Sequence, residues 1–216
     1  MPDDGPSSAE ATQASDLEKL LVWRRDVRHF DTRPVPEDEM DRLFAATRLA
    51  PSVGNAQPWR FVRLRTPALR TTLADHVDAA ARQAGERYTQ AEQAALYASL
   101  KLHGLREAPE IVAVFSDESP REGHGLGIAT MPEALRYSTI MAIHTLWLTA
   151  QSRGIGLGWV SILEPDWLAD LLDAPAQWHF IALLCIGYAK APSDIPELDR
   201  RGWQARRDWR AHVSER

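Results

Sequence analysis

The sequence predicts a single α+β domain with about four main strands and several helices. Three observations carry that reading. The runs "WRFVRL", "EIVAVFSD", "GLGWVSIL" and "HFIALLCIGYA" have the length and apolar content of strands. Between them lie longer segments whose apolar residues recur at helical spacing. No internal repeat and no linker divides the 216 residues, a length that suits one sizeable core.

Taken in order, Asp16 is placed to cap a helix reaching about Arg25, with Leu17, Leu20, Leu21 and Val22 on its inner side. "VPEDEMDRLFAATRLA" predicts a second helix. Pro36 suits its first turn, and Glu37, Asp38 and Glu39 complement the positive end of its dipole. Met40, Leu43, Phe44 and Ala46 share one face, and Pro51 stops the segment. The alternating "WRFVRL" is the first strand. Residues 67–82 and 86–106 read as helices, the latter less hydrophobic. "EIVAVFSD" is a buried strand and "GHGLGIATMP" a glycine-rich loop. Residues 133–153 form a long helix with Met141, Leu146, Trp147 and Leu148 inward. "GLGWVSIL" is a strand opened by glycines, followed by a short capped helix at 165–173, and "HFIALLCIGYA" is the last core strand. The remainder, from about residue 191, is an extended tail rich in Pro and Arg. Its Trp203 and Trp209 have little core of their own to enter, which predicts that it wraps a second subunit.

The totals narrow the function. A net charge of −5 lacks the basic footprint of nonspecific nucleic-acid binding. No run of 18 apolar residues exists, so no membrane span is expected. The first 15 residues are small, polar and Pro/Ser-rich, without the pattern of a signal peptide. They predict a flexible arm on a cytoplasmic protein, with residues 16–216 as the single domain. The one cysteine, Cys185, sits in an apolar run and reads as a buried thiol. It excludes an internal disulfide and any cysteine-based zinc site.

Three constellations could carry chemistry. "RRDVRHF" puts Arg24, Arg25 and Arg28 at a helix end, where cations are stabilising in any case. Forked guanidinium groups also match phosphate oxygens. Asp26 lies inside this cluster. Arg25 and Arg28 are expected to keep it ionised, since nearby positive charge favours the carboxylate. "APSVGNAQPWRF" offers Ser52, Asn55, Gln57 and free backbone ahead of Pro58-Trp59. It is either a turn before a strand or a set of donors and acceptors for the edge of a heteroaromatic ring. "GIGLGWVS" allows close backbone approach at the mouth of a strand. No Gly-x-Gly-x-x-Gly opens a helix after a strand, and no Walker sequence occurs. His144, within an apolar helix, reads as a hydrogen-bonded structural residue. His103 and His124 lack metal-ligand partners at usual spacings.

In their order along the chain, "RRDVRHF", "APSVGNAQPWRF" and "GLGWVS" resemble the flavin-binding nitroreductase-like superfamily. Within it, "YASLKLHGLREAP", "TMPEALRYSTIMAIHTLWLTAQSRGIGLGWVSILEP" and "PELDRRGW" resemble the 5,6-dimethylbenzimidazole synthase family, over roughly residues 17–207. The resemblance implies a central, mainly antiparallel sheet flanked by helices, a lid over about 86–106 and a dimer-wrapping tail over about 191–216. It implies that Ser52 and Gln57 run along the flavin and its ribityl chain, and that Arg24, Arg25 and Arg28 approach the ribityl and phosphate end. It places Arg206 on the phosphate across the dimer interface, and Gly158 and Ser161 beside the isoalloxazine ring. Ile128 stands where a basic residue is expected.

The implied reaction consumes reduced FMN and O2, needs no metal, and yields 5,6-dimethylbenzimidazole, the lower ligand of cobalamin, with erythrose 4-phosphate. Asp26 is the implied proton-transfer group and Ser161 the residue that orients the breaking flavin. A homodimer is implied, served by an external NAD(P)H-dependent flavin reductase. Two other readings fit parts of the pattern. One is an NAD(P)H-dependent nitroreductase or flavin reductase that leaves FMN intact. The other is a non-catalytic flavin-binding protein, which gives no reason for Asp26.

Overall fold

The structure is a computed structural model and describes residues 8–216. Its centre is a four-stranded antiparallel sheet in the order β1-β2-β4-β3, formed by β1 (Trp59–Arg63), β2 (Glu110–Asp117), β3 (Gly156–Val160) and β4 (Trp178–Gly187). β2 and β4 are the central strands and are covered on both faces, which is why they read as nearly unbroken apolar runs. The period of two divides their side chains between two cores. Ile111, Ala113, Phe115, Leu183 and Cys185 pack with α3 (Pro67–Gly85) and α6 (Pro165–Leu171). Val112, Val114, Leu184 and Ile186 pack with α2 (Glu37–Thr47) and α5 (Ala134–Ser152). Register shifts by one residue between Val114 and Phe115, so β4 carries a bulge.

Several boundaries differ from expectation. α1 runs Ser8–Trp23, so Asp16 lies inside it and accepts from Lys19 at 3.1 Å instead of capping it. Of the expected arm, residues 1–7 fall outside the described residues and 8–15 belong to α1. Leu17, Leu21 and Val22 are not turned inward: with Trp23 they are 42–51 % exposed. Met141 is exposed too, on α5 beside exposed Tyr137 and Ile140, while Leu146 is fully buried as expected. His144 is exposed, and His103 instead pairs with Asp78 at 2.8 Å. Cys185 is fully buried, which pushes its thiol up to about 12.

The segment 86–106 is not one helix. Only α4 (Ala91–Ser99) is helical, and Leu100 is already extended. Gly104 sets the path that follows: a Cβ there would lie 2.4 Å from the Phe30 ring. In the tail, one of the two tryptophans departs from expectation. After α7 (Glu197–Arg200), Trp203 finds partners on its own chain, meeting the Tyr88 ring edge-on at 5.5 Å. Trp209 is 62 % exposed.

Candidate functional site

The site begins where residues 24–31 run beside the sheet. Val27 N–H donates to Leu157 O at 3.0 Å, Asp31 N–H to Tyr188 O at 2.8 Å, and Lys190 N–H to His29 O at 3.0 Å. Glycine makes this approach possible. A Cβ on Gly158 would sit 2.0 Å from the Val27 carbonyl oxygen and 3.6 Å from Asp26 Oδ1. Gly158 therefore spends its missing side chain on the chain segment that carries Asp26.

Asp26 is held at both oxygens. Oδ1 accepts from Trp159 N–H at 2.8 Å. Oδ2 accepts from Arg28 Nη2 at 3.1 Å and Nε at 3.3 Å. Arg28 also donates through Nη1 to Lys101 O at 3.1 Å, joining Asp26 to the segment after α4. Burial raises the Asp26 carboxyl above its ordinary 3.8, and neither Arg28 nor the Trp159 N–H reverses the direction. Arg28 does favour the carboxylate, as expected of a neighbouring cation, but burial outweighs it in the direction of the shift, and of the two arginines named only Arg28 bonds the carboxylate.

Arg206, expected from across a dimer interface, instead shares a cleft of about 370 Å³ with Arg24 and Arg25 of its own chain, together with Asp26, Arg28 and Leu198. The Arg24 guanidinium lies 4.7 Å over the Trp147 ring, whose Nε1–H donates to Arg25 O at 3.2 Å. Burial lowers the pKa of both Arg24 and Arg25, and the charge of Arg206 lowers each further. Arg25 Nε is buried and has no hydrogen-bond partner among the described residues. Arginine stays charged regardless, so the four arginines of the cleft outnumber its three carboxylates, Asp26, Glu197 and Asp199, by one, and the spare buried donor of Arg25 suits a multi-oxygen anion. Sequence reasoning found these cations but missed Trp147 as their platform, Trp159 N–H as the Asp26 anchor and Lys101 O as the Arg28 acceptor. The latter two are backbone groups, which carry no residue signal.

The loop 52–57 is elsewhere. Ser52 Oγ accepts from Gln57 N–H at 3.2 Å, and Val53 N–H donates to Ser138 Oγ at 3.0 Å. Asn55 and Gln57 hold φ of 55° and 48°, the left-handed region that non-glycine residues seldom occupy. Gly54 packs under the 123–127 loop, where a Cβ would meet Gly123 O and Leu126 O at 2.9 Å. Ser138 lies near the start of α5, about 14 Å along the helix from Trp147 at 1.5 Å per residue. No residue of this loop lines the cationic cleft. One chain therefore does not bring Ser52 and Gln57 to the arginines. Ser161 is exposed just past β3, two residues beyond the Trp159 N–H that binds Asp26. Among the described residues no group of three or more His, Cys, Asp or Glu could hold a metal ion, and no helix is long and apolar enough to cross a membrane.

Comparison with known proteins places this architecture. Proteins named 5,6-dimethylbenzimidazole synthase match from Rhodospirillum rubrum, at 55 % identity over 88 % of this chain and 90 % of the relative. A second from Rhodobacter capsulatus matches at 50 % identity over 90 % and 94 %. Among solved structures, oxidized iodotyrosine deiodinase bound to FMN and 3-iodo-L-tyrosine superposes with a TM-score of 0.68 at 23 % identity, covering 82 % of this chain and 91 % of that one. A nitroreductase-like protein from Streptococcus mutans gives 0.65 at 18 % identity, over 94 % and 98 %. These likenesses below 25 % identity concern the fold. The model of the nitroreductase family matches residues 21–188, which include the Asp26 segment, the loop 52–57 and all four strands, and the chain belongs to that family.

Proposed function

We propose that this chain is a 5,6-dimethylbenzimidazole synthase. It takes reduced FMN and O2 as substrates and fragments the flavin, yielding 5,6-dimethylbenzimidazole and erythrose 4-phosphate. The observation that carries the proposal is the juxtaposition of Asp26 with the cationic cleft. A phosphorylated flavin fits the cleft's chemistry: Arg24, Arg25 and Arg206 meet the phosphate, and Arg25 Nε offers the buried donor that lacks a partner. Reduced flavin supplies the electrons for O2 chemistry. Everything else falls to the chain.

Asp26 takes a proton at the ribityl end. A carboxylate raised by burial is a better base than an ordinary one, and Trp159 N–H and Arg28 fix where its free lone pairs point. Ser161 orients the ring as it breaks. The segment 86–106 covers the pocket and excludes water. Ser52 and Gln57 come from a second copy, because the loop stands apart from the cleft in one chain. The exposed apolar residues Leu17, Leu21, Val22, Tyr137, Ile140 and Met141 on α1 and α5 form the face for that homodimer. A separate NAD(P)H-dependent flavin reductase delivers the reduced FMN, as the resemblance to the synthase family implies.

The test mixes the protein with chemically reduced FMN in air, without NAD(P)H, and reads the products by mass spectrometry. 5,6-Dimethylbenzimidazole is expected. Recovery of intact oxidised FMN as the only flavin product, with NAD(P)H consumed when it is supplied, identifies a flavin reductase and overturns the proposal.

A further inference from the structure

We infer that Trp203 is a positioning residue that couples anion capture in the Arg24, Arg25 and Arg206 cleft to closure of the α4 segment. This rests on the reading of that cleft as a phosphate site.

α4 is loosely held. None of its residues is buried, and it stands over a cavity of about 820 Å³ lined by Ala81, Tyr88, Ala94, Tyr97, Leu100 and Leu102. An element with so little buried apolar surface opens at low cost. Its best side-chain anchor is aromatic. Trp203 meets Tyr88 edge-on at 5.5 Å and 88°, and Tyr97 at 6.1 Å. Tyr88 and Tyr97 lie 4.9 Å apart, and Tyr97 Oη–H donates to Ala81 O at 2.9 Å. One ring from the tail thus bridges the turn before α4 and α4 itself.

The same tail forms the wall of the cationic cleft. Trp203 N–H donates to Leu198 O at 2.8 Å, and Leu198, Gln204, Ala205 and Arg206 all line the cleft. Arg206 is three positions on from Trp203, at most about 10 Å of extended chain. A second link runs from the cleft to the far end of the segment, where Arg28 donates to Lys101 O. Without an anion, Arg206 faces Arg24 and Arg25 as like charges, offset in part by the carboxylates Asp26, Glu197 and Asp199 that line the same cleft. A phosphate between them replaces that repulsion with attraction, so Arg206 is held more firmly and the contact Trp203 already makes with the two tyrosines is tightened. Both fastenings, Trp203 on the tyrosines and Arg28 on Lys101 O, are made in the chain alone, and filling the cleft strengthens the one that the tail supplies.

The test is hydrogen exchange of peptides covering 86–106 in the full-length protein, without ligand, with saturating FMN and with saturating riboflavin, which lacks the phosphate. In the wild type FMN should slow exchange about tenfold more than riboflavin does, the order expected from one aromatic contact pair. Trp203→Ala should still bind FMN in preference to riboflavin but lose that extra protection. Trp203→Phe should keep most of it, and Tyr88→Ala, which removes the facing ring from the other side, should lose it as Trp203→Ala does. Equal extra protection in Trp203→Ala and the wild type overturns the coupling while leaving the phosphate reading intact. If wild-type affinity for FMN and riboflavin is the same, the phosphate reading itself fails and the coupling with it.

Discussion

Gly158→Ala is the most exacting perturbation of the site. The new Cβ would lie 2.0 Å from Val27 O, whereas ordinary contact begins at 3.4 Å. The 26–28 segment must therefore retreat by about 1.4 Å, the difference between those two distances. That motion stretches the Val27 N–H bond to Leu157 O, now 3.0 Å, and the Trp159 N–H bond to Asp26 Oδ1, now 2.8 Å, past useful range. A neutral hydrogen bond contributes about 0.5–1.5 kcal/mol and one to a charged group about 1.5–3 kcal/mol. Overpacking adds about 1–3 kcal/mol. With relaxation sharing these costs, a loss of about 3–6 kcal/mol follows. For a chain of this size that lowers Tm by at least about 6 °C.

Thermal unfolding followed by circular dichroism reads the first effect. Product yield from reduced FMN, measured at a temperature where the variant is folded, reads the second, which should fall as Asp26 loses its anchor. Gly154→Ala serves as control. Its φ is +68° but nothing lies within 4 Å, so it should show only the left-handed backbone cost of about 1–2 kcal/mol. A Gly158→Ala protein with wild-type Tm and yield would show that Val27 does not approach β3 in this way.

Other expectations follow from the same geometry. Asp26→Asn keeps an acceptor for Trp159 N–H but cannot serve as a base. It should bind FMN, react with O2 and return oxidised FMN with hydrogen peroxide, whereas near-normal yield at saturation removes Asp26 from the mechanism. Arg206→Ala should weaken FMN binding by about 1.5–3 kcal/mol and riboflavin binding far less; equal losses in titration calorimetry place Arg206 away from the phosphate. Leu17→Glu with Met141→Glu should shift sedimentation toward a monomer and abolish tight FMN binding. A monomer that binds FMN normally refutes the two-copy site. Glu37 is held down to about 2 by its bonds to Arg63 and then Arg65. Because its folded pKa lies below the ordinary 4.5, its contribution is present above that pH and lost as pH falls toward 2. Glu37→Gln should thus lower Tm at neutral pH, with the difference closing between pH 4.5 and 2; a difference constant across that range counts against the pairing.

The strands were the most legible part of the sequence. β2 and β4 announce themselves because both faces are buried, which leaves short apolar runs rich in Val, Ile and Phe. α4 was overextended because local helix propensity says nothing of Gly104 lying on Phe30, or of Arg28 reaching Lys101 O. Tertiary contacts decided that segment. The apolar stripe of α1 was visible as a stripe, but periodicity does not say what covers it, and in one chain Leu17, Leu21 and Val22 remain exposed. Trp203 has no visible home in the sequence because its partners, Tyr88 and Tyr97, lie more than a hundred positions away.

The reading of Asp26 shows most clearly where sequence proximity misleads. "RRDVR" puts three guanidinium groups near one carboxylate on paper. Asp26 makes a parallel bridge with Leu157, and Val27 N–H bonds Leu157 O, which sets Asp26 and Arg28 on one side of the segment and Val27 on the other. Asp26 and Arg28 therefore meet at 3.1 Å, while Val27 turns into the core with Phe30 and Leu183. Arg24 goes to Trp147, and Arg25 leaves Nε unpaired. The D-x-R spacing thus fixes one ion pair and frees the other two arginines for an outside anion. The packing that secures this also desolvates the carboxylate, and that raises its pKa instead of lowering it. A group tied only to Arg28 in the open would be a weak base. Pressed against β3 through Gly158, it becomes a stronger one without losing the cation that aims it.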